Sequence, residues 1–178
     1  MNIQALVTHN GAPSREMRSA GFTLIELMVT IAVMAILLSI AVPSFNEAML
    51  GSKISSYANS LSSSALLARS EAIKRNAPIT LCVSSSGAAC GTGSWEQGWV
   101  VISGTDVLHR QEALPSGLKV IEGTATAQVV FRPTGVGATS ASFKVCRATP
   151  SVGSQERVVT INANGRTDID KTTTGVCS

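Results

Sequence analysis

The chain carries only two histidines, His9 and His109. Its four cysteines, Cys82, Cys90, Cys146 and Cys177, include no C-x-x-C pair. A Cys–His zinc site is therefore poorly supplied. Serine is abundant, but no G-x-S-x-G elbow with Asp and His partners accompanies it. No glycine-rich loop of the phosphate-cradling kind occurs. Asp168 and Asp170 alternate in a strand-like run, and two carboxylates alone are a weak metal signal. The expectation is a protein that is not an enzyme, with no cofactor and no metal. Charge of one sign is lacking too. Lysine and arginine number 14 against 11 aspartate and glutamate. From Ala77 onward there are eight basic and seven acidic residues. That stretch offers no global funnel for a polyanion. No internal repeat is visible, and the serine runs at 62–64 and 84–86 are too short to be low complexity.

What is present begins at the amino end. Met17-Arg-Ser-Ala-Gly21 runs directly into Phe22-Thr-Leu-Ile-Glu26. From there to Pro43 only apolar and a few small polar residues follow. Residues 22–42 rise about 30 Å as a helix, which matches the hydrocarbon thickness of a bilayer. Glu26 lies five residues into that run. A carboxylate in a membrane segment is costly and marks a functional site by default. It points to processing after Gly21 and to assembly through the exposed amino end at Phe22. A buried pair between Glu26 and a neighbour's terminal amine would set register more than it adds stability. Arg15 and Arg18 precede the run, so the leader belongs in the cytoplasm and the C-terminal domain outside. Disulfides are permissible there. Two other readings fit the same stretch. Ser39-Ile40-Ala41 has the spacing for ordinary signal peptidase. An uncleaved anchor would keep its leader.

After Pro43, which is expected to kink or loosen the helix, the pattern resumes. Leu50, Ile54, Tyr57, Ala58, Leu61, Ala65, Ala68 and Ala72 form one apolar stripe. Lys53, Ser56, Ser60, Ser63 and Ser70 mark the opposite face. Pro78 ends the helix near Asn76. Candidate strands follow at 79–83, 98–102, 107–110, 118–122, 128–132, 142–147, 157–162 and 166–169. Asn164-Gly165 joins the last two as a hairpin. The fold class expected is α+β, a long N-terminal helix on an antiparallel sheet. The division is a leader at 1–21, a transmembrane part at 22–43, an amphipathic part at 44–76, and a β-rich external domain at 77–178.

Four cysteines allow three pairings. The most economical is Cys82 with Cys90 and Cys146 with Cys177. The first closes a small loop, and the second pins the C-terminal tail to a strand. Free buried cysteines, and a Cys82–Cys146 link between two candidate strands, remain open.

Gly21-Phe-Thr-Leu-Ile-Glu26 resembles the cleavage and methylation motif of type IV pilins and type II secretion pseudopilins. The resemblance implies a type IV pilin-like fold, cleavage after Gly21 by a prepilin peptidase, and N-methylation of Phe22. It also implies that Glu26 meets a neighbouring subunit's amino terminus. Arg69-Ser70-Glu71-Ala72, Trp95-x-x-Gly98-Trp99 and Phe131-x-Pro133-x-Gly135 are similar to segments of the GspH/FimT branch. So are Cys146-Arg147, Arg157-Val-Val and Asn164-Gly165-Arg166. These favour FimT/FimU-type minor pilins. The implied partners are other minor pilins, the major pilin, a tip protein and the inner membrane. The implied place is a single-pass inner-membrane protein with a periplasmic domain, later incorporated in a surface pilus.

Some members of the resembled branch bind DNA through Gly-Arg-x-Arg in the C-terminal hairpin. Here Gly165, Arg166, Thr167 and Asp168 occupy those positions, so an acid replaces the second arginine. Arg166, with Arg147, Arg157 and Lys171, is the candidate set for weak DNA binding. Asp168 and Asp170 subtract from its field.

Overall fold

The computed structural model describes residues 21–136 and 138–177, so the leader expected at 1–21 lies, but for Gly21, outside the described residues. One helix, α1, runs from Leu24 to Arg75. Eight strands follow: β1 Ile79–Val83, β2 Trp99–Ser103, β3 Asp106–Gln111, β4 Leu118–Glu122, β5 Gln128–Phe131, β6 Ala141–Arg147, β7 Glu156–Ile161 and β8 Thr167–Thr172. The class is α+β, with every strand pairing antiparallel. The chain divides into two compact units at Ala41/Val42.

In the first unit α1 is exposed all round, with a mean hydropathy of 2.6 over its most apolar window. By length and composition it is the one helix among the described residues able to cross a membrane. Its hydroxyls are satisfied internally, as a low-dielectric surrounding requires. Thr30 Oγ1 donates to the Leu27 carbonyl at 2.8 Å and Ser39 Oγ to that of Ile36 at 2.7 Å. Pro43 removes a backbone donor, yet the helix passes it without interruption.

The second unit holds the rest of α1 and both sheets. Leu50, Ile54, Ala58, Leu61, Ala65, Ala68 and Ala72 are buried, as the apolar stripe requires. The serine face is less simple than its spacing suggests. Ser60 is half-buried and donates to Gln111 Oε1 at 2.6 Å. Ser64 is buried and accepts the Trp99 indole N–H at 3.0 Å. Ser62 meets Thr167 Oγ1 at 2.8 Å. Packing against the sheets thus recruits Ser60, which helical periodicity alone assigns to solvent, along with Ser62 and Ser64. The helix ends in a Schellman motif. Asn76 takes the left-handed conformation at φ 49°. The Asn76 amide bonds to the Ile73 carbonyl and the Ala77 amide to that of Ala72.

The strands form two sheets rather than one. The first has the order β3-β2-β1-β5 and the second β4-β6-β7-β8. Phe143, Val145, Val159 and Ile161 of the second sheet join Ile79, Leu81, Trp99 and Phe131 of the first in one core under α1. A 3₁₀ turn at Trp95–Gln97 was not legible in the strand pattern. Its Trp95 ring meets Phe143 edge-on at 4.7 Å, and its indole N–H bonds to the Thr126 carbonyl at 3.0 Å.

Candidate functional site

The sequence places its chemistry at the start of α1. Gly21, Phe22 and Thr23 precede the helix, and Phe22 is exposed. Thr23 is the N-cap: its Oγ1 accepts the Glu26 amide at 3.3 Å. Thr23-x-x-Glu26 has the capping-box spacing, so Glu26 also sits where a helix N-terminus favours an acid. Among the described residues its carboxylate has no ion-pair partner, and no other charge lies between Phe22 and Asn46.

Two disulfides are present. Cys82–Cys90 has a Cα separation of 5.5 Å and Cys146–Cys177 one of 5.8 Å. Cys146 lies on β6, so the second bridge fastens the segment after β8 to the sheet.

That segment exposes a residue which sequence reasoning missed. Glu156, at the start of β7, is fully buried, and among the described residues its carboxylate has no ion-pair partner. It accepts from Thr172 Oγ1 at 2.9 Å, Thr174 Oγ1 at 2.8 Å, the Thr174 amide at 3.1 Å and the Gly175 amide at 2.7 Å. Burial alone would raise its pKa; the hydroxyl and amide donors outweigh that and hold it at about 2. Lys144 Nζ reaches Thr174 Oγ1 at 3.1 Å and the Val176 carbonyl at 3.4 Å from the neighbouring strand. The only forewarning in sequence is a run of threonines and a glycine, Thr172 to Gly175, just before the last cysteine.

The four basic candidates do not all converge. Arg157 and Lys171 are register partners on β7 and β8. Arg147 shares their face at the end of β6, since Val145 pairs with Arg157. It is held by Glu47 at 3.3 Å and by the Ser151 carbonyl at 2.9 Å. Arg166 lies in the β7–β8 turn, at the other end of that hairpin. There Gly165 takes φ 70° and lies against Arg69 of α1. Arg69 Nε also reaches the Gly135 carbonyl at 3.4 Å. Three of the short motifs, around Arg69, Gly135 and Gly165, therefore meet at one packing junction. Asp168 accepts from Asn162 Nδ2 at 3.0 Å, and with Asp170 it occupies the face of β8 opposite Lys171. Among the described residues no cluster of three or more His, Cys, Asp or Glu side chains is placed to hold a metal.

The prokaryotic N-terminal methylation motif matches residues 17–42. The family described as type II transport protein GspH matches residues 57–165. The chain belongs to the GspH family. Curated proteins yield no match. Among solved structures, the type IV minor pilin FimU of Pseudomonas aeruginosa is similar in two crystal forms. One superposes with a TM-score of 0.54 at 20% identity, over 67% of this chain and 89% of FimU. The other gives 0.52 at 20%, over 65% and 91%. The minor pseudopilin EpsH of the Vibrio cholerae type 2 secretion system gives 0.46 at 14%, over 67% and 97%. The FimU likeness is one of fold. As a GspH-family chain the protein is of the minor pilin and pseudopilin kind: a membrane-competent N-terminal helix with a disulfide-bonded α+β head.

Proposed function

We propose that this chain is a minor pilin that joins or primes a type IV pilus. It is cut after Gly21 by a prepilin peptidase, methylated on Phe22, and inserted through the apolar half of α1. The observation that carries the reading is that half-helix: exposed on every side, with Glu26 as its lone charge, inside a methylation motif. An apolar surface of that length needs lipid or other such helices around it, and a lone carboxylate there needs a cation. The cleaved amine of a neighbouring subunit supplies one. Its partners are then the major pilin, other minor pilins and a tip protein, with the head in the periplasm before incorporation.

The motifs around Arg69, Trp95, Gly135 and Gly165 favour the pilus over the secretion pseudopilus, whereas the matched family's description favours type II transport. Gene deletion with complementation separates them. Loss of surface pili and twitching, with secretion intact, supports the pilus reading; lost export of secreted proteins with normal pili assigns the chain to type II secretion. A DNA-uptake role would rest on Arg166, because Arg147 is ion-paired and Arg157 and Lys171 lie at the other end of the hairpin.

A further inference from the structure

The second unit has a base whose chemistry the pilus reading does not use. Phe45 and Met49 continue the apolar sequence past Val42 and are exposed. Val152 is exposed too, in the loop where Gly153 lies against Leu50 and Arg147 holds the Ser151 carbonyl. Behind this apolar rim runs the basic row of Arg147, Arg157 and Lys171, one from each of three adjacent strands.

Arg157 also lines a cleft of about 530 Å³ against α1. The helix side of that cleft is Gly51, Ser52, Ser55, Ser56 and Asn59. None of the four polar side chains there has a partner among the described residues. Arg157 spends one N–H on the Glu156 carbonyl, at 2.9 Å, and keeps others for a ligand. A guanidinium with hydroxyl and amide donors around it suits a phosphate oxygen. Glu47 offsets the charge of Arg147, and Asp170 and the Glu156 carboxylate lie on the opposite face of the sheet. The local balance stays positive.

We propose that this base is a docking surface for anionic phospholipid headgroups. Phe45, Met49 and Val152 enter the interface, while Arg157 and Lys171 meet phosphate. The pairing of exposed apolar and basic residues is what an interfacial surface requires. Gly51 stands only about 14 Å along the helix from Val42, within reach of a headgroup layer once the helix tilts. Two or three basic groups bind weakly alone, but a tethered domain meets its membrane at high effective concentration. The contact therefore orients the head on the bilayer before assembly. It rests on α1 spanning a bilayer, which retention of the chain in a lipid disc tests separately.

The experiment uses the full chain in nanodiscs of phosphatidylcholine, alone or mixed with phosphatidylglycerol. Hydrogen exchange is followed by mass spectrometry across residues 47–59 and 151–157. Phosphatidylglycerol should slow exchange there about tenfold, added salt should remove the difference, and Arg157→Glu with Lys171→Glu should abolish it while the chain stays in the disc. The salt series on the unaltered chain carries the test should the double variant unfold. Equal exchange in both lipids overturns the proposal. So does equal protection in phosphatidylcholine discs by free glycerol phosphate, which would assign the cleft to soluble phosphate. Protection there by short duplex DNA without any phosphatidylglycerol effect would assign the row to nucleic acid instead.

Discussion

The Glu156 carboxylate and the Thr174 hydroxyl lie 2.8 Å apart, although they come from opposite ends of the β7–β8 hairpin and its tail. The bond closes a strap, residues 173–177, over the outer face of the second sheet. The disulfide from Cys177 to Cys146 locks the strap's end.

The strap should respond to acid in a defined direction. The Glu156 pKa is lowered from an ordinary 4.5 to about 2 on folding. Its stabilisation is thus complete above pH 4.5 and is lost as pH falls through about 2. Relative to its intrinsic rate, amide exchange at Thr174 and Gly175 should quicken over that window while α1 remains protected. Glu156→Gln puts an amide N–H among donors and should cost about 2 kcal/mol in denaturant unfolding. Unchanged exchange in acid would remove the role assigned to the carboxylate.

The two disulfides should differ in worth. Sequence separations of 8 and 31 give chain-entropy contributions of about 2.5 and 4 kcal/mol. Replacing Cys146 and Cys177 by serine should lower the denaturation midpoint more than replacing Cys82 and Cys90. The reverse ranking would show that the strap adds little once Glu156 is in place.

Gly165→Ala should destabilise the head by about 1–2 kcal/mol. The residue sits at φ 70°, and an added Cβ would come within 2.9 Å of Arg69 Cδ. Arg69→Ala in the same chain should recover only the steric part. Full recovery in the double mutant would mean the backbone conformation carries no cost.

Processing and assembly separate at two positions. A bulky residue in place of Gly21 should leave the leader attached, read by intact mass. Glu26→Ala should insert into the membrane normally, since it removes a desolvation cost. It should nevertheless be depleted about tenfold from sheared filaments, taking the lost ion pair as worth roughly 1.4 kcal/mol. Normal incorporation would count against pairing with a neighbour's amine.

Arg166→Ala tests DNA binding in a salt series on the purified chain. Any binding should be independent of sequence and steep in salt. Asp168→Arg should tighten it by restoring the branch's second basic position. Loss on Arg157→Ala but not on Arg166→Ala would move the surface to the base of the head.

The amino-terminal half was legible because its signals are local. Periodicity named every buried helix residue from Leu50 to Ala72 apart from Ser62 and Ser64, and Asn76 before Pro78 marked the helix end. The strands were found to within a few residues, since β-branched runs and glycines bound them. Their division into two sheets was not, because pairing is set by long-range register and not by composition. Glu156 was missed for the same reason. Its donors lie 16 to 19 residues away and meet it only once the hairpin and strap have formed. The basic residues misled in part: Arg147, Arg157 and Lys171 lie side by side, but Arg166 is separated from them by the length of β7.

The strand order has a consequence for how the head is made. β5 belongs to the first sheet, but β4 before it and β6 after it belong to the second. Neither sheet is encoded by an uninterrupted stretch of chain. A head that emerges amino end first cannot finish one layer and then begin the next. β1, β2 and β3 wait for β5, and β4 waits unpaired until β6 arrives. Contacts so distant in sequence are of the kind that slow folding. The two layers of the head are therefore completed together rather than in turn.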